Sequence, residues 1–240
     1  NMNTRGVFFD LGGTLFSYRN VARTNIPLLV ESVERLGVLT EVDAIKRSYS
    51  RASGEVSRLY AEKPFYRHRD MFHDMFVRFC ELLDAEYDAE VHSWYHDAQQ
   101  EAILDCLLIR PDCIETLEYL QGRGLYLSIV SNIDDDMLEP LVEREGLDRY
   151  FDHWTSSEAA QSCKPDPKFF DVTLEKSGLA AECVLFVGDS PEHDIVGANA
   201  AGMRTALIIE EGVEPPLQTG REAVAPDHTI RALSELKEIV

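Results

Sequence analysis

Asp10 follows the apolar run at residues 7–9 and precedes two glycines, which indicates a carboxylate at the end of a short buried strand. In open α/β sheets, ligands bind in the crevice beyond the carboxyl ends of the strands, where the Asp10 side chain would project. A carboxylate there can attack phosphorus to form an aspartyl-phosphate, or it can bind a metal ion. The alternative is an aspartate that only caps a turn, because Asp-x-Gly-Gly is also ordinary turn sequence.

Two further segments carry groups that could bind phosphate. Ser131 and Asn132 end an apolar run at residues 125–130, so a hydroxyl and loop amides would reach the same sheet edge if the strands are parallel. Lys164 stands in the sequence KPDP, where the second proline is favourable for the first turn of a helix. A lysine anchored in this way can neutralise a carboxylate and a phosphate together, although a plain turn and a plain helix start are the simpler interpretations.

Asp189 and Asp194 follow a third apolar run, at residues 184–187, within the sequence GDSPEHD. Two acids five residues apart across a strand-to-helix turn suit a hard divalent cation, which prefers oxygen ligands. Mg²⁺ usually takes only one or two carboxylates, which Asp10 and Asp189 would supply. Asp194 would then bind through water or fix the loop, or it would serve as a helix N-cap.

An alternation of helices and strands after residue 110 predicts the sheet that positions these side chains. The pattern predicts helices at 112–121, 137–144, 167–176 and 195–201, strands at 125–130, 184–187 and 205–209, and a short segment at 151–156. Such repetition is typical of a Rossmann-like α/β core with a mostly parallel sheet. Residues 212–225 are predicted to form a loop, and residues 226–230 a last edge strand.

The segment between the first strand and this series has almost no strand-like run. It contains amphipathic helical patterns, for example at residues 26–36 and 71–83. We therefore predict a catalytic core at residues 1–17 and 105–240, interrupted by a helical cap domain at residues 18–104. The cap would lie over the strand ends, where it could act as a lid above Asp10.

Composition narrows the possible partners. The 240 residues carry a net charge of −20, from 23 basic and 43 acidic residues, which argues against binding to a nucleic-acid backbone. An anionic substrate would need local positive charge or a metal ion, because the overall field repels it. The five cysteines show no C-x-x-C pair, and no apolar stretch approaches the roughly 20 residues of a membrane span. These features predict a cytoplasmic protein without a membrane partner; they leave the oligomeric state open.

Taken together, the four motifs resemble those of the haloacid dehalogenase-like hydrolase superfamily. They read VFFDLGGTL, IVSN, KPDP and VGDSPEHDIVGANAAGM, and the resemblance spans residues 6–209. It implies a Rossmann-like core with a helical cap inserted after the first motif, and Asp10 as the nucleophile. It also implies phosphate or substrate binding by Gly13, Thr14, Ser131, Asn132 and Lys164. The metal would be Mg²⁺, bound by Asp10, Asp189, Asp194 and the backbone carbonyl of Gly12.

Gly12 departs from the pattern of the phosphatase members, which carry a second aspartate at this position as general acid and base. General acid–base catalysis is worth roughly 10²–10⁴-fold in rate, which is about 3–5 kcal/mol of activation free energy. Gly12 should therefore favour substrates whose leaving group is stable without a proton. If the cap supplies a replacement, His68 and His96 are the first candidates, because imidazole titrates near neutral pH.

The favoured interpretation is a magnesium-dependent phosphatase acting on a small phosphorylated metabolite. One alternative is a 2-haloacid dehalogenase, since those relatives also lack the second aspartate; Arg47 or Arg51 would then bind the substrate. Another is a phosphonatase-like enzyme with a Schiff base on Lys46 or Lys63. A binding or regulatory protein with weak catalysis is an alternative of a different class.

Overall fold

A six-stranded sheet forms the centre of the computed structural model, which describes residues 4–213 and 223–240. Its strands run in the order β5-β4-β1-β6-β7-β8, and every neighbouring pair is parallel. These strands are β1 (Gly6–Phe9), β4 (Tyr126–Ser131), β5 (His153–Ser156), β6 (Val184–Gly188), β7 (Arg204–Ile208) and β8 (His228–Ile230). Two short strands, β2 (Phe16–Ser17) and β3 (Leu108–Ile109), form a separate antiparallel pair. The predicted Rossmann-like α/β class is confirmed.

The central strands are continuous apolar runs because both faces of the sheet are covered. All four residues of β1 and all five of β6 are buried. β1 lies between β4 and β6, with Phe9 opposite Ile129 on one side and Val187 on the other. All three strands end at nearly the same level, so the residue that follows each one reaches the same sheet edge.

The α-helices are α1 (Val21–Arg35), α2 (Val42–Ala61), α3 (His68–Leu82), α4 (Ala89–Cys106), α5 (Cys113–Gly122), α6 (Asp135–Glu145), α7 (Ser157–Ala160), α8 (Pro167–Ser177) and α9 (Gly197–Ala200). The sheet packs against α5 and α6 on one face and against α8 and α9 on the other. Side chains alternate between the faces along each strand. Phe9 packs into the core on one face, whereas Phe8 packs with Phe169 and Phe170 on the other.

Helices α1 to α4, here called the helical insertion, lie in the chain between β2 and β3. They have an apolar core of their own, centred on Val33, Phe76 and Phe79. The predicted helices at 26–36 and 71–83 are present, but they begin earlier, at Val21 and His68. Their first turns carry few buried apolar side chains, so the hydrophobic periodicity starts only about one turn later. In the described ranges no helix is long and apolar enough to cross a membrane.

The structure differs from the prediction at one place toward the C-terminus. The predicted helix at 195–201 is preceded by a wider turn at Pro191–Val196, in which the Ile195 amide donates to the Ser190 carbonyl five residues earlier, at 3.2 Å. Such widened turns are frequent at functional sites. The predicted edge strand is confirmed as β8. Most of the predicted loop at 212–225 lies outside the described residues.

Candidate active site

Asp10 lies at the end of β1, where three groups fix its position. Its backbone amide donates to the Val187 carbonyl at 2.9 Å, which continues the sheet by one residue. The Thr14 hydroxyl donates to one carboxylate oxygen at 3.3 Å, and Lys164 Nζ donates to the other at 3.0 Å. With only 8% of its surface exposed, Asp10 is an oriented carboxylate at a sheltered strand end.

Lys164 is almost completely buried and uses its ammonium group on three acceptors. Nζ lies 3.0 Å from Asp10 Oδ1, 2.6 Å from Asp194 Oδ1 and 2.7 Å from the Val130 carbonyl. An ammonium has three hydrogens to donate, so its hydrogen-bonding capacity is satisfied. Burial alone would lower the pKa of Lys164, but the Asp10 and Asp194 carboxylates outweigh burial and raise it. Lys164 is therefore a fixed cation beside Asp10.

The end of β4 holds the Lys164 loop in place. The Asn132 side chain donates to the Lys164 carbonyl at 2.9 Å and accepts from the Lys164 amide at 2.7 Å. Ser131 is 4% exposed and lines the same cavity as Asp10. The Asn132 side chain is thus hydrogen-bonded to both backbone groups of Lys164. Its contact with phosphate remains a prediction.

Three carboxylates face one another beside this cation. One oxygen from each of Asp10, Asp189 and Asp194 lies within 4.8 Å of the others. Burial, together with the charges of Asp10 and Asp194, raises the pKa of Asp189 well above its ordinary value. Burial also raises the pKa of Asp194 to about 6, against the lowering effect of Lys164. The excess of carboxylate charge over the single lysine fits an oxygen-liganded divalent cation such as Mg²⁺.

The second glycine of the first motif makes this cluster possible. Gly13 has φ +80°, and a Cβ atom there would lie 2.0 Å from Asp189 Oδ2. A side chain at this position would be strained and would also push Asp189 away from Asp10. The Gly13 carbonyl accepts from Arg110 Nη2 at 3.0 Å. Arg110, which sequence reasoning missed, braces the turn after Asp10 from 97 residues away.

Replacing Asp189 with asparagine is expected to stabilise the metal-free protein. A carboxyl group whose pKa is raised on folding binds protons more tightly in the folded state. Its charge therefore destabilises the folded state at pH values above the pKa of the unfolded state. Removing that charge should therefore raise the free energy of unfolding at pH 7.5 in EDTA. Thermal unfolding in EDTA measures the effect of the charge, and thermal unfolding in Mg²⁺ measures the effect of the metal ion.

In the same experiment, Mg²⁺ should stabilise the native protein and have much less effect on Asp189→Asn. Ser190→Ala is a suitable neighbouring control, because it removes a capping hydroxyl without changing the carboxylate cluster. An Asp189→Asn protein that is less stable than wild type in EDTA would show that the cluster carries no repulsion.

The Asp10 side chain opens into a cavity of about 210 Å³ between the core and the helical insertion. Residues from both parts line it; the insertion contributes Ser57, Ala61, Tyr66, His68 and Met71. A larger, mainly apolar cavity of about 690 Å³ adjoins it and shares Gly12, Tyr18, His68, Ser131 and Asn132. Of the two predicted histidines, His68 therefore lies beside the Asp10 cavity, whereas His96 lines only the larger one.

The basic residues considered for the alternative activities lie elsewhere. Lys46, Arg47, Arg51 and Lys63 are exposed, and none of these four described residues lines either cavity. Arg51 pairs with Glu55 at 2.7 Å, and the Lys63 ammonium lies 4.0 Å from the centre of the Tyr60 ring. A carboxylate-binding arginine or a Schiff-base lysine at these positions would have to move to reach Asp10.

Asp134, also missed by sequence reasoning, ties the helical insertion to the core. Its two carboxylate oxygens accept from the backbone amides of His68 and Arg69, each at 2.8 Å. These amides belong to the first turn of α3, where backbone donors have no partner within the helix. Burial acts to raise the pKa of Asp134, but the hydrogen bonds from His68 and Arg69 lower it overall. A core carboxylate thus caps a helix that lines the active-site cavity.

Asp134→Ala is expected to lower the free energy of unfolding by about 2–3 kcal/mol at pH 7, because it leaves two part-buried helix-start amides without their charged acceptor. A carboxylate with a lowered folded pKa stabilises the folded state at pH values above its unfolded pKa of about 3.9. This contribution is lost as the pH falls through the pKa of the folded state. The difference from wild type should therefore be smaller at pH 3 than at pH 7. Urea unfolding at both pH values measures this, with Asp136→Ala as the exposed control; a difference independent of pH would contradict it.

Comparison with known proteins agrees with this arrangement of strand ends and carboxylates. The family model of the haloacid dehalogenase-like hydrolases matches residues 4–202. Ribulose-1,5-bisphosphate 5-phosphatase from Halopiger xanaduensis is 29% identical over 98% of both chains. (S)-2-haloacid dehalogenase 4A from Burkholderia cepacia is 27% identical over 97% of this chain and 93% of its own.

Among solved structures, magnesium-bound YfnB from Bacillus subtilis superposes with a TM-score of 0.77 at 23% identity. The match covers 99% of this chain and 98% of the other, and it concerns the fold. The chain belongs to the haloacid dehalogenase-like hydrolase family, and it is an enzyme of the hydrolase class.

Proposed function

We propose that this hydrolase is a magnesium-dependent phosphatase that acts through an aspartyl-phosphate on Asp10. The observation that carries the proposal is the grouping around one cavity of an oriented Asp10, the fixed cation Lys164 and two further carboxylates. Displacement at a phosphoryl group needs a nucleophile and strong neutralisation of negative charge. Displacement of a halide needs the nucleophile but has no comparable need for a carboxylate cluster.

In the proposed reaction, Asp10 attacks phosphorus, so that an Asp10 O–P bond forms and the bond to the leaving group breaks. Water then hydrolyses the acyl phosphate and restores the carboxylate. Lys164 keeps Asp10 oriented and offsets its charge, and Ser131 offers a hydroxyl at the cavity wall. Gly13, Thr14 and Asn132 complete the proposed phosphate-binding set around the same loops.

Asp10, Asp189, Asp194 and the Gly12 carbonyl would hold the metal ion. When bound there, Mg²⁺ supplies positive charge to the phosphoryl oxygens and stabilises the charge that develops on them. We further propose that the helical insertion is the cap that encloses the substrate, because its side chains complete the Asp10 cavity. The substrate class is a small phosphorylated metabolite, and the Halopiger relative is a ribulose-1,5-bisphosphate 5-phosphatase.

A substrate panel in Mg²⁺ and in EDTA tests the proposal. It should contain acetyl phosphate, p-nitrophenyl phosphate, sugar phosphates, phosphonoacetaldehyde and 2-haloacids, with assays for phosphate and for halide. We expect phosphate release that requires Mg²⁺ and is fastest with good leaving groups. Halide release that persists in EDTA would instead identify a dehalogenase, the activity named for the Burkholderia relative.

A further inference from the structure

The space beside Gly12 is occupied by another side chain. A Cβ atom built on Gly12 would lie 2.1 Å from the Tyr18 hydroxyl oxygen and 2.5 Å from Tyr18 Cζ. The phenol of Tyr18 therefore fills the volume that any side chain at position 12 would enter. Position 12 is where the phosphatase members of the family carry their second aspartate. In this chain Tyr18 brings a phenolic hydroxyl group to that place instead of a carboxyl group.

The fold holds Tyr18 there. Tyr18 directly follows β2, which pairs with β3, and the amides of Leu15 and Phe16 donate back to the Leu11 carbonyl at 2.8 Å and 3.1 Å. This tight turn returns the chain over the glycine pair, and a Cβ on Gly13 would also lie 3.2 Å from Tyr18 Cδ2. The ring thus rests on the loop that carries Asp10.

The Tyr18 hydroxyl faces the reacting groups as a free donor. Tyr18 lines both the Asp10 cavity and the larger cavity, so it adjoins both the nucleophile and the room available for a leaving group. Although 41% of the residue is exposed, burial of the hydroxyl end and the charges of Asp189 and Asp10 raise the pKa of Tyr18 well above 10. Among the described residues the hydroxyl has no hydrogen-bond partner.

We propose that the Tyr18 hydroxyl donates a hydrogen bond to the leaving-group oxygen of the substrate, at the place that Gly12 leaves open. This inference rests on the proposed phosphatase function. As the P–O bond breaks, its electron pair passes to the leaving oxygen, and Tyr18 stabilises the developing negative charge while keeping its own proton. The leaving oxygen then takes a proton from water.

A hydrogen-bond donor replaces only part of what a general acid provides, because the leaving group must still depart as an anion. The arrangement therefore favours phosphates whose leaving oxyanion is stabilised by resonance or by an adjacent carbonyl, such as acyl, enol and aryl phosphates. The larger cavity of about 690 Å³, which Tyr18 also lines, gives the organic part of such a substrate room.

Tyr18→Phe tests this role, because it removes the hydroxyl and keeps the ring over Gly12. Removing one donor to a developing oxyanion typically lowers kcat by about 10²–10³-fold. We expect that loss with phenyl phosphate and a clearly smaller loss with p-nitrophenyl phosphate, whose leaving group needs less stabilisation. Tyr150→Phe, which removes a hydroxyl from the core away from both cavities, is the matched control and should behave as wild type.

A structural role for the Tyr18 hydroxyl predicts a different result, namely equal losses with both phosphates or no loss. Either outcome would overturn the proposal. A selective loss in His68→Ala, with none in Tyr18→Phe, would assign the role to His68 instead. The proposed function is checked separately in the same assays: if wild-type protein releases no phosphate in Mg²⁺, the phosphatase function fails and the Tyr18 role falls with it.

Gly12→Ala provides a second test that does not depend on the Tyr18→Phe variant. Its methyl group must displace the Tyr18 ring, so we expect it to reproduce the selective loss with phenyl phosphate. The double variant should then be no worse than either single variant, because both remove the same hydrogen bond. If the fold-losses of the two single variants multiply in the double variant, Gly12 and Tyr18 act independently. That result would contradict the proposal.

Discussion

Asp10→Asn is expected to lower kcat for phosphate release by roughly 10⁴–10⁶-fold, the range seen when groups that act together in covalent catalysis are removed singly. The amide keeps the size of the carboxylate: its single oxygen can still accept from Lys164, while its NH2 group faces the Thr14 hydroxyl, which can accept a hydrogen bond. It has no anionic oxygen with which to attack phosphorus. Steady-state kinetics in saturating Mg²⁺, with the best substrate of the panel, measures the loss.

The size of the Asp10→Asn loss is informative only if the variant remains folded. Lys164 keeps its bonds to Asp194 and to the Val130 carbonyl, so the free energy of unfolding in EDTA should change little. Asp148→Asn, an exposed aspartate on the core, is the control for the same chemical change. A variant at Asp10 that retains turnover within tenfold of wild type would exclude Asp10 as the nucleophile.

Lys164→Met is expected to have the largest effect on stability, together with a loss of activity. It removes the cation that contacts both Asp10 and Asp194, and removing one partner of a buried ion pair typically costs about 3–5 kcal/mol. Methionine fills a similar volume, so the loss reflects unpaired charge rather than a cavity. Chemical unfolding at pH 8 in EDTA measures the difference in free energy of unfolding.

The pH dependence of the Lys164→Met deficit distinguishes unpaired charge from poor packing. The pKa of Asp194 is already raised to about 6 by burial, and loss of Lys164 removes an influence that lowers it. An acid with a raised folded pKa destabilises the folded state at pH values above its unfolded pKa, and the penalty is complete only above the folded pKa. The penalty falls as the acid takes up a proton. The deficit should therefore shrink as the pH falls from 8 toward 6, and Lys168→Met, four residues away and exposed, should show no deficit.

A Lys164→Met deficit that stays constant between pH 8 and pH 6 would point to packing as its cause. It would also weaken the interpretation of Lys164 as the charge partner of the nucleophile. Activity alone does not distinguish unpaired charge from poor packing, because Lys164→Met removes the lysine from the proposed phosphate site in either case.

The sequence predicted the fold class and most of the strands because the buried parallel strands are continuous apolar runs bounded by turns. The same reasoning placed Asp10, Ser131 and Asp189 at one sheet edge, since each follows such a run. In the structure these residues line one cavity, and Lys164 lines it as well. Their predicted chemical roles await the experiments described above.

Other contacts of the site left no signal in the local sequence. Arg110 reaches the Gly13 carbonyl over 97 residues, and Asp134 caps α3 over 66 residues. Neither contact produces a periodic pattern or a motif, because the tertiary arrangement alone brings the groups together. Tyr18 is closer in sequence to Gly12, but only the tight turn at residues 11–16 shows that its ring returns over the glycine.

Trapping the covalent intermediate is the direct test of Asp10 as the nucleophile. Protein turning over acetyl phosphate or p-nitrophenyl phosphate in Mg²⁺ should be quenched in acid within the first turnover and reduced with borohydride, which converts an aspartyl-phosphate to homoserine. We expect homoserine at position 10 in the digested protein, and none without Mg²⁺ or in Asp10→Asn. Rapid phosphate release with unmodified Asp10, or with the modification at another residue, would contradict it.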